Sequence, residues 1–156
     1  MMLKYVTTDI VFQEIPDEVT LAVNIAGCPC RCPGCHSPHL WRDEGQPLDE
    51  KALCRLVEQY GNDITTVALM GGDAAPAEVD MLVCALRKRF PHIRTAWWSG
   101  RARLSPQICL GNFDYIKLGP YLAHLGPLKS PTTNQRLYRV SDNTLHDITS
   151  RFWRGK

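Results

Sequence analysis

The run Val19-Thr20-Leu21-Ala22-Val23-Asn24-Ile25 is apolar and β-branched along most of its length, and two residues later the chain enters Cys28-Pro29-Cys30-Arg31-Cys32-Pro33-Gly34-Cys35. The first segment reads as a strand. The second places four cysteines within eight residues, two of them followed directly by proline. The cysteines therefore fall on a loop that leaves the C-terminal end of a strand, where α/β proteins gather their ligands.

Within that run the spacing Cys28-x-x-x-Cys32-x-x-Cys35 supplies three thiolates to a cluster of four irons and leaves one iron without a protein ligand. An iron with an open position binds a small molecule and acts on it. A structural zinc site is the alternative, since Cys28, Cys30, Cys32, Cys35, His36 and His39 offer more than four donors. Zinc sites usually draw two ligand pairs from separate parts of a chain, and no second cysteine pair follows. Cys30 supplies a fourth thiolate by count, but its two-residue offset from Cys28 and Cys32 makes that geometry awkward, so it reads as a bystander.

The bulk properties narrow the setting. The 156 residues suit one domain, residues 1–156, with a buried core. A net charge of +2 from 18 basic and 16 acidic residues argues against nucleic acid or an anionic membrane as partner. No apolar stretch approaches the roughly 18–20 residues that cross a bilayer, and the N-terminal residues lack the apolar core of an export signal. Seven cysteines, four of them crowded, fit reduced thiols held for metal in a cytoplasm better than a disulfide scaffold. Cys54, Cys84 and Cys109 stand apart and read as small buried hydrophobes.

Strand and helix patterns alternate through the middle. Residues 3–15 suggest one or two strands. Residues 48–60 carry apolar residues at helical spacing, Leu53, Leu56, Val57 and Tyr60, with Asp49 and Glu50 at the start. Residues 64–70 read as a buried strand, and Pro76 opens a helix with Val79, Leu82, Val83, Leu86 and Phe90 on one stripe. Strands follow at 93–98 and 113–118, with a short helix expected after Ser105-Pro106 between them. Residues 120–136 read as a loop, 137–140 as an extended piece, and Ser141 or Asp142 as the cap of a final helix through Phe152. Such alternation predicts an α/β fold with a mostly parallel sheet. The unit count is too small for a complete eight-fold barrel of about 250 residues, so a partial, open (β/α) barrel is expected.

Two further constellations stand near strand ends. Gly71-Gly72-Asp73 closes the strand expected beside the cysteine strand; glycines let a ligand approach the backbone, and Asp73 can accept from a ligand ammonium. The plainer alternative is a turn with an acid near a helix N-terminus. Trp97-Trp98-Ser99-Gly100 ends the next strand, with adjacent tryptophans on opposite faces. Thr132-Thr133-Asn134-Gln135-Arg136 is a dense polar run, either solvated or serving to fix a ligand or partner.

With these residues in view, Cys28-x-x-x-Cys32-x-x-Cys35 resembles the cluster motif of the radical S-adenosylmethionine superfamily, and Gly71-Gly72-Asp73 resembles its Gly-Gly-Glu type motif. Cys32-Pro33-Gly34-Cys35-His36, Asn134-Gln135-Arg136, and the segment from Phe113-Asp114-Tyr115-Ile116 to Gly119-Pro120-Tyr121 are similar to the activating proteins of anaerobic ribonucleoside-triphosphate reductase. The resemblance runs from about residue 19 to 140. It implies a 4Fe–4S cluster on Cys28, Cys32 and Cys35, with S-adenosylmethionine on the fourth iron. It further implies cofactor contacts from Gly34, Cys35, His36, Gly71, Gly72, Asp73 and Asn134, an external electron donor such as a flavodoxin, and a 5′-deoxyadenosyl radical that takes hydrogen from a glycine of the large reductase.

The chain also departs from the pattern. Gly34 stands where many superfamily members carry an aromatic residue, Asp73 is one methylene shorter than Glu, Lys117-Leu118 precedes Gly119 where an acid is common, and Cys30 is an extra. Two other functions stay open: a radical S-adenosylmethionine enzyme acting on another glycyl-radical enzyme or a small molecule, and a zinc-binding interaction module without catalysis.

Overall fold

The computed structural model describes residues 3–27 and 45–153. Eight strands form a sheet in the order β3-β1-β2-β4-β5-β6-β7-β8. They are β1 (Lys4–Val11), β2 (Thr20–Ile25), β3 (Gln46–Pro47), β4 (Thr66–Met70), β5 (Arg94–Trp98), β6 (Tyr115–Leu118), β7 (Arg136–Ser141) and β8 (Thr144–Asp147). Two helices, α1 (Glu50–Tyr60) and α2 (Pro76–Arg89), fall between β3 and β5.

The centre of the sheet is parallel, β2 to β4 to β5 to β6. These strands are buried nearly throughout, as expected where a sheet is covered on both faces. The flanks are antiparallel, and four of the seven pairings are of that kind. This overturns the expected partial, open (β/α) barrel with a mostly parallel sheet: the sheet is mixed, and antiparallel pairings are the majority. The reason lies in the connections. Only residues 12–19 join β1 to β2, fewer than the dozen or so that a parallel crossover requires. β7 and β8 are joined by Asp142 and Asn143 alone, both at positive φ (52° and 56°), the conformation of a two-residue hairpin turn.

That hairpin replaces the final helix expected from Ser141 or Asp142. A 3₁₀ turn at Thr149–Trp153 follows it. The helix expected after Ser105-Pro106 is likewise a turn, closed by the Ile108 amide on the Ser105 carbonyl, followed by a 3₁₀ turn at Leu110–Asn112. The first segment forms one strand, not two.

The two helices follow their sequence signals. Asp49 caps α1 by accepting from the Ala52 amide at 2.8 Å, a contact worth about 1 kcal/mol. Leu53 and Val57, one turn apart, are its buried residues. α2 begins at Pro76, buries Val79, Leu82, Val83 and Leu86, and ends in Arg87-Lys88-Arg89, favourable charges for a helix C-terminus. These side chains share one core with Leu21, Val23, Ile25, Val67, Leu69, Trp97 and Ile116. A smaller cluster of Ile15, Ala68, Ala96, Tyr115, Leu128 and Leu137 lies apart from it.

The N-terminal ends of the parallel strands meet at one carboxylate. Glu18, 6% exposed, accepts from Thr65 Oγ1 (2.7 Å), Thr66 Oγ1 (2.8 Å), Tyr115 O–H (2.9 Å) and Arg94 Nη1 (3.0 and 3.1 Å to its two oxygens). Burial alone would raise its pKa, but the three hydroxyl hydrogen bonds and the Arg94 charge outweigh it and hold the carboxyl below its ordinary value. Burial and then the bond to Glu18 push Tyr115 up to about 12.

A depressed carboxyl adds stability above its unfolded pKa of 4.5 that disappears as pH falls through the lower folded value. Glu18→Gln is therefore expected to lose about 1.5–3 kcal/mol at neutral pH. Urea titrations at pH 7 and pH 3 should show the difference from wild type shrinking in acid.

Candidate functional site

Four parallel strands finish on one rim, at Ile25, Met70, Trp98 and Leu118. β2 and β4 are adjacent and in register, with Asn24 opposite Met70, so the chain entering the cysteine run leaves the sheet beside the Gly71-Gly72-Asp73 turn. Cys28, Cys30, Cys32, Gly34, Cys35 and His36 themselves lie outside the described residues.

The glycine pair is required by close packing. Gly71 and Gly72 have φ of 106° and 90°, in the region that favours glycine. A Cβ on Gly72 would stand 2.6 Å from Val79 Cγ2 of α2, and one on Gly71 would stand 3.3 Å from the Ile25 carbonyl oxygen. The turn is thus pressed between the end of β2 and the first turns of α2. The Gly71 amide donates to the Trp98 carbonyl at 2.9 Å, and Trp97 Nε1 donates to the Gly71 carbonyl at 2.6 Å. Trp97 is buried in the core and Trp98 half-buried, on opposite faces as alternation dictates.

Asp73 is 5% exposed. Its Oδ1 accepts from Ser99 Oγ at 2.5 Å and its Oδ2 from the Gly100 amide at 2.9 Å. Ser99 Oγ accepts in turn from the Arg101 amide at 3.1 Å. The neighbouring strand end is held by Lys117, also buried, whose Nζ donates to the carbonyls of Ser99 (3.1 Å) and Gly119 (2.8 Å).

On the loop before β7, Asn134 Nδ2 donates to the Pro120 carbonyl at 3.1 Å, and Gln135 Nε2 donates to the Gly119 carbonyl at 3.4 Å. Among the described residues Asn134 Oδ1 is buried without a donor, which costs on the order of 1–3 kcal/mol unless a ligand supplies one. The rest of the polar run serves the loop. Thr132 Oγ1 donates to the Leu125 carbonyl, Thr133 Oγ1 accepts from the Gln135 amide, and Arg136 faces Asp147 at 3.8 Å.

The structure therefore brings Gly71, Gly72 and Asp73 to the rim and places Asn134 beside the end of β6. Sequence reasoning passed over Ser99 as a partner of Asp73. It noted Lys117 only as a departure, although a lysine inside Tyr115-Ile116-Lys117-Leu118 was a signal in its own right. The isolated cysteines differ from expectation: Cys54 and Cys84 are half-buried and Cys109 is exposed. Burial, followed by the charge of Glu50, pushes the Cys54 thiol up, away from the thiolate that a nucleophile needs. Among the described residues no group of three or more His, Cys, Asp or Glu side chains is placed to hold a metal, and no helix is long and apolar enough to cross a membrane.

Residues 18–107, 90 of the 156, match the family described as a 4Fe-4S single cluster domain. The chain belongs to that family and is an iron–sulfur protein. The matched span takes in the cysteine run, the Gly71-Gly72-Asp73 turn and Ser99-Gly100. No curated protein and no solved structure matches the chain. Cysteine thiolates are the donors that a 4Fe–4S cluster takes, and the matched span contains the run Cys28, Cys30, Cys32 and Cys35.

Gly72→Ala is expected to cost about 2–4 kcal/mol, from the positive φ and the clash with Val79 together. Thermal melting of the variant beside wild type measures it. Adding Val79→Ala should recover the steric part only.

Proposed function

We propose that this chain is a radical S-adenosylmethionine activase that installs a glycyl radical on an anaerobic ribonucleoside-triphosphate reductase. One observation carries the reading: β2, which leads into a run of three suitably spaced thiolates, pairs in parallel with β4, which ends in Gly71-Gly72-Asp73. A cluster with one iron lacking a protein ligand thereby has a glycine-lined turn for a cofactor on the next strand.

In this reading Cys28, Cys32 and Cys35 hold the cluster, and Gly34 and His36 lie against the cofactor. The turn at Gly71 and Gly72, held in shape by its packing on Val79 and Ile25, lies beside the strand that enters that run, as the surface for the methionyl moiety. Asp73 braces the turn against the end of β5, and the Asn134 Oδ1, which has no donor among the described residues, suits a ligand N–H or O–H. Bound there, the cluster and S-adenosylmethionine would supply one-electron reductive cleavage of a carbon–sulfur bond, with methionine as the leaving group, and hydrogen abstraction from a glycine Cα of the partner. The protein's own share is to bind, orient and shield. Lys117 and Asp73 bind neighbouring strand ends together, so the rim offers a fixed outline to a partner's glycine loop. The electron arrives from an external donor such as a flavodoxin, and the cytoplasm keeps the thiols reduced.

Anaerobic reconstitution is expected to give a brown protein with four irons per chain. Cys28→Ala, Cys32→Ala and Cys35→Ala should each abolish the cluster, whereas Cys30→Ala should retain it. With S-adenosylmethionine, a reductant and the reductase, the wild type should produce the EPR doublet of a glycyl radical. Four irons without that doublet would move the activity to another glycyl-radical enzyme or a small molecule. One zinc per chain and no colour would sink the enzymatic reading altogether.

A further inference from the structure

The acid of the Gly71-Gly72-Asp73 turn invites a role as the direct partner of a ligand ammonium. The geometry points to a different one. We propose that Asp73 is a positioning residue: it acts through Ser99 and Gly100, holding the end of β5 against the end of β4 so that the glycine turn keeps its shape for the cofactor. The inference rests on the S-adenosylmethionine reading above and concerns how this rim is built to receive that cofactor.

Three observations support it. The carboxylate turns sideways along the rim: its two oxygens accept from two successive residues of the neighbouring strand end, Ser99 Oγ at 2.5 Å and the Gly100 amide at 2.9 Å. A charge-assisted hydrogen bond of that length to a serine that is 1% exposed defines geometry tightly. Ser99 is itself fixed on three further sides. Its Oγ accepts from the Arg101 amide, its amide donates to the Lys117 carbonyl at 2.9 Å, and its carbonyl accepts from Lys117 Nζ. Asp73 thus joins β4 to a unit that already ties β5 to β6. Finally, the side chain is 5% exposed, and at aspartate length it already places one oxygen on each of these two donors.

A direct contact and a positioning role differ in how substitutions combine. The measurement is the affinity of the reconstituted protein for S-adenosylmethionine, by anaerobic titration calorimetry, together with the change that the compound makes in the EPR spectrum of the reduced cluster. Asp73→Asn and Ser99→Ala are each expected to weaken binding roughly tenfold, from loss of a hydrogen bond to a charged group. The double variant should be no weaker than the weaker single one, because both remove the same link. Asp73→Glu should fail to restore wild-type affinity.

Four irons per chain in every variant separates these effects from loss of the site, and apo-protein melting reports any general destabilisation. If Asp73→Asn does not take up iron, Ser99→Ala and Asp73→Glu carry the same comparison. The proposal is overturned if Ser99→Ala binds like wild type while Asp73→Asn does not, if the two losses multiply, or if Asp73→Glu binds as well as wild type. Wild-type protein that holds four irons yet ignores S-adenosylmethionine overturns the functional reading and this proposal together; wild-type binding with multiplying losses overturns this proposal alone.

Discussion

Glu18 sits at the root of the parallel sheet. It precedes β2 by two residues and reaches the first residues of β4, β5 and β6 through Thr66, Arg94 and Tyr115. A carboxylate so far from water is tolerated only when it is richly hydrogen-bonded and paired with a cation. All four strands must therefore start from the same place. Their registers follow, and the opposite ends emerge together on one rim. The line of glycines, Asp73, Ser99 and Lys117 there is a downstream result of that common origin.

The rim repeats the same device with different chemistry. At the root one acid receives donors from several strands. At the rim one acid and one lysine, both buried, are connected through Ser99, whose hydroxyl donates to Asp73 and whose carbonyl accepts from Lys117 Nζ. Polar groups buried at both ends of the sheet are worth more in holding strand positions than the same groups would be in water. Between the two ends the strands are mostly apolar, with Thr95 bonded to Asn112 and Asp114 and Asn24 bonded to Thr7 and Asp9 of β1.

Much of this was legible in the sequence. The central strands and both helices announced themselves through continuous apolar runs, through the 3.6-residue stripe of α2, and through Asp49 and Pro76 as helix starts. The cysteine spacing and the Gly-Gly turn were plain too, and the family match confirms the iron–sulfur character. What misled was the direction of the flanking strands. Alternation of strand and helix speaks for parallel pairing only where a helix stands between two strands, and none stands between β1 and β2 or between β7 and β8. Asp142-Asn143 is a hairpin signal as much as a helix cap, and tertiary pairing of Tyr138 with Asp147 and Arg139 with His146 decided it. Ser99 was invisible for another reason: its importance comes from a partner 26 residues away, and no local pattern records that.

The missing Cβ at Gly72 has a wider meaning. Because Val79 occupies the space where that atom would be, and Val79 is fully buried in the main core, the turn is an outcrop of the hydrophobic interior rather than a loop resting on it. On the proposed reading, ligand affinity and global stability are therefore written into the same contacts. A core substitution that shifts α2 would be felt at the rim as surely as a change in the turn itself. Conversely, a molecule gripped by the turn would brace the helix and the sheet beneath it.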